Sequence, residues 1–138
     1  MLDFLNITRA LSDENRIRIL MALRERDLCV CQVTAFLDLA PSTTSKHLSV
    51  LRQARLIESS KHGKWVYYHL ADKSGSDMVK SSLNMLVENL KNHPAIMRDS
   101  EHIKKVLERE DLLCADLGAE HSECGHSLEI HLLEEEDL

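Results

Sequence analysis

The spacing of apolar residues predicts a mainly helical N-terminal region. "DFLNITRAL" predicts a first short helix. A second is expected after Ser12, which is a suitable N-cap, because Ile17, Leu20 and Leu23 follow at helical spacing. "RDLCV" is compatible with a small strand, and "CQVTAFLDL" predicts one more short helix.

The next two segments predict a polar-faced helix and a β-hairpin. The helix is expected from Pro41 or Ser42 to Ala54, since proline is tolerated at the first helical position. Its apolar face carries Thr44, Leu48 and Leu51, whereas small and polar residues occupy the opposite face: Ser42, Ser45, Lys46, Ser49 and Gln53. "LIESSKHGKWVYYHL" alternates and breaks at His62–Gly63, which predicts a hairpin with a basic tip.

The C-terminal half continues as helix and ends in an acidic tail. "DMVKSSLNMLVENLKN" repeats Met78, Leu83, Leu86 and Leu90, which predicts a long amphipathic helix ending near Pro94. "SEHIKKVLERED" predicts a further helix. From about residue 111 the chain is acidic and less periodic, as in partly disordered tails.

Composition narrows the class of protein. The chain has 138 residues, 43% of them hydrophobic but only 4% aromatic, so one core of Leu, Ile, Val and Met is expected. It contains no run of eighteen apolar residues and no leader pattern, from which we expect a cytoplasmic protein without a membrane partner. In a reducing cytosol its 4 cysteines are expected as thiols or metal ligands rather than structural disulfides.

Charge is unevenly distributed. The net charge of −6 argues against a nucleic-acid partner for the chain as a whole. Residues 1–70, however, carry 10 Lys and Arg against 7 Asp and Glu, and residues 42–64 carry five basic residues against one acidic residue. This local excess is typical of a nucleic-acid-binding surface, although an ordinary solvated face explains it as well.

A short helix, a tight turn, a polar-faced helix and a basic hairpin are typical of the winged helix-turn-helix. "ALSDENRIRILMAL" and "SKHLSVLRQARLI", followed by "GKWVYY", resemble the ArsR/SmtB family of metal-responsive repressors over residues 5–92. The resemblance implies a homodimer on double-stranded operator DNA, with the first helix and the helix after the hairpin at the interface. Residues 1–95 would form the DNA-binding and dimerisation domain, and 96–138 a helical extension and acidic Cys/His-containing tail. Alternatively, the stripe Met78, Leu83, Leu86 and Leu90 is intrachain core.

Candidate DNA contacts divide by their chemistry. The first turns of the polar-faced helix are expected to reach base edges or phosphates, and the remaining basic side chains to hold the DNA backbone. The first group is Ser42, Thr43, Ser45, Lys46 and His47, and the second is Arg52, Lys61, His62 and Lys64. For His47, a hydrogen bond within the helix-turn-helix is the alternative.

Cys29 and Cys31 match the Cys-Val-Cys that carries inducer ligands in the arsenic-, antimony- and cadmium-responsive branch of the family. The resemblance implies As(III) or Sb(III) as the inducer, ahead of Cd(II), Zn(II) and Pb(II); thiolates are the ligands that such soft ions prefer. Alternatively, the two cysteines are merely small buried hydrophobic residues. Because helical residues two apart point to nearly opposite sides, we expect the helix to begin after Cys29 or to unwind there.

A third ligand is left open. Arsenic-responsive relatives often carry another cysteine three residues after the pair, where this chain has Thr34. Cys114 and Cys124 are the other thiols, and either is a candidate from its own chain or from a dimer partner. "HSECGH" alternatively suggests zinc binding, although one cysteine with nearby histidines is weak evidence.

The sequence disfavours an enzyme, since it shows no recognisable nucleophile–base pair. Two other functions compete with metal sensing. The first is a DNA-binding regulator in which Cys29 and Cys31 form a thiol-redox switch. The second is a dimeric protein-interaction module, without DNA, whose acidic tail binds a basic partner.

Overall fold

The computed structural model describes residues 1–109. In this range the chain forms six α-helices and three short β-strands. In chain order these are α1 (Leu2–Ala10), α2 (Glu14–Leu23), β1 (Leu28–Cys29), α3 (Val30–Leu37), α4 (Pro41–Gln53), β2 (Ile57–His62), β3 (Trp65–Leu70), α5 (Asp77–Leu90) and α6 (Pro94–Glu108). None of the helices in this range has the length and apolar content needed to cross a membrane.

The start of α2 differs by one residue from the prediction. The N-cap is Asp13, whose side chain accepts a hydrogen bond from the backbone N–H of Arg16. Ser12 instead donates its hydroxyl to the carbonyl oxygen of Arg9 at 2.7 Å. Ser12 is thus occupied with the end of α1, and the carboxylate of Asp13 stabilises the positive end of α2.

The helix-turn-helix is formed by α3 and α4 and is held by one continuous apolar core. Helix α3 begins at Val30, one residue earlier than predicted, and ends before Asp38, which adopts the left-handed conformation with φ 56°. Helix α4 covers the predicted segment and starts with proline at its first position. Its buried residues are Thr44, Leu48 and Leu51, which confirms the predicted apolar face.

The hairpin is part of a three-stranded antiparallel sheet with strand order β1-β3-β2. His62 pairs with Trp65, so the turn consists of Gly63 and Lys64 rather than His62–Gly63. Gly63 has φ 65°, a conformation that glycine adopts without steric cost. On its other edge β3 pairs with β1, Leu28 lying opposite Tyr68 and Cys29 opposite Tyr67. The strand predicted in "RDLCV" therefore anchors the hairpin to the start of α3.

The apolar stripe of α5 is shifted from the predicted one. Its buried residues are Val79, Leu83 and Leu86, whereas Met78 is 41% exposed. Leu83 and Leu86 belong to the same core cluster as α2, α3 and α4. The alternative of an intrachain core is therefore correct for Leu83 and Leu86, and these two residues are not available to a partner chain.

Helix α6 begins at Pro94 and is packed against the rest of the domain. Its buried residues Ile96, Ile103 and Val106 join the common core cluster. Asp99, only 6% exposed, accepts two hydrogen bonds from Arg18 of α2, at 2.8 and 2.7 Å. This hydrogen bonding raises the pKa of Arg18, against the lowering effect of its partial burial. The expected boundary between residues 95 and 96 thus falls inside a helix that shares the core of residues 1–95.

Candidate nucleic-acid interface and cysteine site

The exposed face of α4 carries most of the expected DNA contacts. Its inner face is fixed in the core by Leu48 and Leu51, so the opposite face points to solvent. The side chains exposed in its first two turns are small or cationic: Pro41, Ser42, Thr43, Ser45 and Lys46. No bulky side chain among them prevents close approach to a groove.

The other basic candidates lie at the end of α4 and on the hairpin. Arg52 is exposed in the last turn of α4, and Lys61 and Lys64 are exposed around the hairpin turn. His62 differs because it is half-buried, with its ring edge-on to Tyr67 at a centroid distance of 6.1 Å. Three of these four groups are therefore free to reach a DNA backbone, while His62 also supports the hairpin.

His47 is placed differently from its neighbours in α4. It is half-buried, and its Nδ1 lies 3.3 Å from Nη1 of Arg16 in α2. The predicted alternative, a hydrogen bond within the domain, is therefore present. Arg16 itself was not among the candidate residues, because a contact between residues 31 apart in the chain leaves no local signal in the sequence.

Cys29 and Cys31 are brought together at the junction of β1 and α3. Cys29 is the N-cap of α3 with extended backbone, φ −90° and ψ 169°, and Cys31 lies in the first helical turn. Their sulfur atoms are 3.1 Å apart. The helix thus begins after Cys29, which is the first of the two arrangements predicted to let one ion bind both sulfurs.

The cysteine pair packs against the root of the hairpin. Cys29 is 0% and Cys31 4% exposed, and they form a buried cluster with Tyr67, against which Trp65 packs. Gln32, also buried, accepts a hydrogen bond from the backbone N–H of Cys29 at 2.9 Å. A movement of the two sulfurs would therefore disturb the packing of both the first turn of α3 and strand β3.

The described part of the chain brings two sulfur atoms together here, but Cys31 is disulfide-bonded in this structure, so the expectation of thiols or ligands rather than disulfides is wrong for this residue. Residues 1–109 contain no group of three or more His, Cys, Asp or Glu side chains arranged to hold a metal ion. Thr34, in α3, is half-buried and offers a hydroxyl rather than a thiol. Cys114 and Cys124, the expected sources of a third sulfur, lie outside the described residues.

The comparison with curated proteins identifies close sequence relatives. The cadmium resistance transcriptional regulatory protein CadC of Listeria innocua is 37% identical over 83 residues, which are 59% of this chain and 70% of that protein. The arsenical resistance operon repressor of Escherichia coli is 38% identical over 68 residues, covering 49% of this chain and 58% of the repressor.

The solved structures share the fold. HlyU from Vibrio cholerae matches with a TM-score of 0.56 and 27% identity over 66% of this chain and 95% of its own. The reduced form of HlyU matches with a TM-score of 0.54 and 28% identity, over 64% of this chain and 90% of its own. The model of the bacterial regulatory proteins of the arsR family matches residues 13–59, from the N-cap of α2 into β2. The chain therefore belongs to the arsR family and is a winged helix-turn-helix, DNA-binding regulator of transcription.

Proposed function

We propose that this protein is a homodimeric repressor that binds double-stranded operator DNA and releases it when a thiophilic ion binds Cys29 and Cys31. The observation that carries this proposal is the 3.1 Å separation of the two sulfurs at the junction of α3 and the hairpin sheet. Regulators of cadmium and arsenical resistance among its relatives support an ion of this class. Because the proposed ligand is DNA, we place the action of the protein in the cytoplasm.

DNA binding is assigned to the exposed face of α4 and the basic hairpin. In a winged helix-turn-helix the second helix of the motif enters the major groove. Ser42, Thr43, Ser45 and Lys46 are exposed on that helix, and Lys61 and Lys64 extend the cationic surface to the hairpin. His47, Arg52 and His62 complete the proposed set of contacts.

The dimer is assigned to the outer faces of α1 and α5. Leu2, Phe4 and Leu5 of α1 are 48–70% exposed, and Met78 and Met85 of α5 are 41% and 52% exposed. The two helices lie against each other, so these side chains form neighbouring apolar surface. A second copy of the chain covers it by a two-fold contact and sets two α4 helices about 34 Å apart for a symmetric operator.

The ion is proposed to be As(III) or Sb(III), with Cd(II) as the main competitor and Zn(II) and Pb(II) behind it. Two thiolates are soft ligands that select ions of this kind. A third sulfur from Cys114 or Cys124, of the same chain or the partner, completes the proposed ligand set. Ligation requires thiolate sulfurs, so the disulfide of Cys31 must first be reduced by a cellular thiol, and ion binding to the reduced pair then releases the thiol protons.

Coupling between the ion and DNA follows from the position of the cysteines. Both side chains are buried against Tyr67 and Trp65, so an ion reaches the sulfurs only when this packing opens. Opening shifts the first turn of α3, which packs on α4, and strand β3 of the hairpin. Both proposed DNA-binding elements move, and the expected coupling is about 1–3 kcal/mol, or roughly 5- to 150-fold in DNA affinity.

The test uses a fluorescent DNA duplex that the wild-type protein selects from a random-sequence library. Under strict reduction, arsenite, antimonite or cadmium chloride should release the wild-type protein, as measured by anisotropy. The Cys29→Ser/Cys31→Ser variant should bind the duplex normally and stay bound. Release of this variant by arsenite would refute the assignment.

Single variants then identify the third ligand. Because the proposed DNA contacts lie on α4 and the hairpin, Cys114→Ser and Cys124→Ser should both still bind DNA under strict reduction. The variant that loses its response to arsenite identifies the residue that provides the third sulfur. Arsenic-edge absorption spectroscopy of each loaded variant should count one sulfur neighbour fewer in that variant alone.

A redox switch is the second candidate, and the same short sulfur–sulfur distance favours it. Cys31 is disulfide-bonded in this structure, and its sulfur lies 3.1 Å from that of Cys29. Once both are reduced, the two thiols are placed for oxidation to a disulfide by hydrogen peroxide, which is itself reduced to water. One of the structural neighbours is the reduced form of HlyU, and that redox state is a property of HlyU, not of this chain. If peroxide releases the duplex and arsenite under strict reduction does not, the redox function replaces the metal-sensing one.

A further inference from the structure

Arg16 joins three elements through one side chain. Its Nε donates to the carbonyl oxygen of Ala10 at 2.9 Å, and its Nη2 donates to that of Arg9 at 3.1 Å. Both carbonyls belong to the last turn of α1, where a cation is favourable because it offsets the negative end of the helix. The remaining terminal nitrogen, Nη1, lies 3.3 Å from Nδ1 of His47 in α4.

This contact determines where His47 carries its proton. An arginine guanidinium is always charged and offers only donors. Nδ1 of His47 must therefore accept, which requires a neutral ring with its proton on Nε2. Within residues 1–109, that Nε2–H group has no hydrogen-bond partner.

The neighbours of His47 indicate what the Nε2–H group is for. His47 directly follows Ser45 and Lys46, which are exposed on the proposed DNA-facing side of α4. A neutral N–H donor suits a phosphate oxygen or an acceptor on a base edge. We propose that Arg16 is a positioning residue for DNA binding, which holds His47 in the tautomer whose Nε2–H donates to DNA.

The inference also connects the proposed dimer helix with the proposed recognition helix. Arg16 is largely covered, with 15% of its side chain exposed, and it binds the end of α1 and His47 of α4 together. A single side chain thus links the position of α4 to that of α1. Arg16 acts through His47 and the end of α1 and is not itself placed on the exposed face of α4.

The first experiment reads the tautomer directly. Long-range ¹H–¹⁵N correlation spectra of the imidazole rings, with His47 assigned from the spectrum of His47→Asn, should show an unprotonated Nδ1 and a protonated Nε2. In Arg16→Met the tautomers should mix. Because Arg16→Met also removes the cap of α1, Arg16→Lys is measured as a second variant. Lysine keeps the positive charge but lacks the forked guanidinium that contacts both the end of α1 and His47. A protonated Nδ1 in the wild-type protein would overturn the inference.

The second experiment uses two amides that each imitate one ring nitrogen. Asparagine presents its amide near the position of Nδ1, and glutamine presents its amide near that of Nε2. His47→Asn should bind the selected duplex about tenfold more weakly, as expected for one lost hydrogen bond, whereas His47→Gln should stay within about threefold. Because the donor is neutral, neither variant should change the slope of log affinity against log salt. Equal losses in both variants would contradict a specific role of Nε2.

A double-mutant cycle tests the positioning role. Arg16→Lys should weaken DNA binding in the wild-type background but have little further effect in His47→Asn, because the two residues act as one unit. Independent, additive losses would contradict the proposal. The inference rests on the proposed DNA binding by α4: a wild-type protein that selects no duplex refutes both, whereas normal binding by His47→Asn refutes this inference alone.

Discussion

At the scale of single residues, the ion pair of Arg18 and Asp99 joins α6 to α2. Its two hydrogen bonds, at 2.8 and 2.7 Å, have the paired geometry that arginine and carboxylate favour. Arg18→Met leaves the carboxylate of Asp99 covered and unpaired, and we expect a loss of about 3 kcal/mol of unfolding free energy. Urea unfolding at a fixed protomer concentration measures this loss.

A matched control is available on α6 itself. Lys104 pairs with Glu101 at 3.2 Å, but both side chains are about two-thirds exposed. Lys104→Met should therefore change the unfolding free energy by less than about 0.5 kcal/mol. Because its pKa is raised in the folded state, Arg18 contributes its full stabilisation below its ordinary pKa and loses it only as pH rises through the folded value. The difference between the two variants should thus persist at neutral and mildly alkaline pH.

The residues of the site differ in how far the sequence determines them. Cys29 and Cys31 could be selected as candidate ligands from the sequence, because two cysteines separated by a single residue are a local pattern. Their close approach was predictable from helix geometry, since α3 had to begin after Cys29. The contacts of Arg16 were not predictable, because they arise from the packing of α2 between the end of α1 and α4.

At the scale of elements, the hairpin is expected to act on DNA mainly through charge. Lys61 and Lys64 are exposed at its tip. Each phosphate contact contributes about 0.9 to the slope of log affinity against log salt, so Lys61→Ala/Lys64→Ala should reduce that slope by about 1.8. Lys91→Ala/Lys104→Ala, which changes two exposed lysines outside the hairpin and α4, is the control. An unchanged slope in the hairpin variant would remove the hairpin from the interface.

The junction between β3 and α5 depends on a glycine for space. A Cβ atom at Gly75 would overlap the carbonyl oxygen of Ala71 and lie 2.7 Å from Cγ1 of Val79. Because a backbone carbonyl cannot easily move aside, Gly75→Ala should cost about 3 kcal/mol of unfolding free energy. Thermal and urea unfolding measure the change.

Gly63 provides the comparison, because a side chain would fit there, but the backbone has a conformation that favours glycine. No atom of residues 1–109 lies within 4 Å of a Cβ built there, but its φ is 65°. Gly63→Ala should therefore cost about 1 kcal/mol, from the backbone conformation alone. A larger loss at Gly63 than at Gly75 would contradict this explanation.

Among the elements, local pattern determined most of what was predicted correctly. Helix α4 and the hairpin follow from apolar periodicity, proline at the first helical position and one glycine turn. The stripe of α5 was shifted because Met78 and Val79 are both apolar, and only packing distinguishes them: Val79 is buried and Met78 faces outward. Helix α6 was predicted too short, since His93, its N-cap, accepts from the N–H of Ala95 through its ring, an arrangement with no common sequence signature.

At the scale of the whole molecule, the cysteine pair lies between the two elements that are proposed to bind DNA, α4 and the hairpin. Cys29 ends β1, which pairs with the hairpin strand β3, and it also caps α3, which packs on α4. A local change at the sulfurs thus acts on α4 and the hairpin together. Arg16 also links α1, the proposed dimer helix, to α4, because it contacts both the end of α1 and His47.

Binding to a symmetric operator, as proposed, requires a dimer that holds two α4 helices at a fixed spacing. Phe4 is 52% exposed on α1, and exposed methionines lie on α5, the helix in contact with α1. Phe4→Asp places one carboxylate per protomer in this apolar surface, so at about 2 kcal/mol each the dimer should be weakened roughly a thousandfold. Sedimentation velocity should then show a monomer at concentrations where the wild-type protein is dimeric. Loss of the dimer also separates the two half-site contacts, so binding to the selected duplex should fall.

Met97 supplies the control for this prediction. It is 56% exposed, about as much as Phe4, but it lies on α6 and not on α1 or α5. Met97→Asp should leave the sedimentation coefficient and the affinity for the duplex unchanged. If Met97→Asp produced the monomer and Phe4→Asp did not, the two-fold contact would lie on α6. The spacing of the two α4 helices would then depend on the Arg18–Asp99 pair, and Arg18→Met would weaken DNA binding as well as stability.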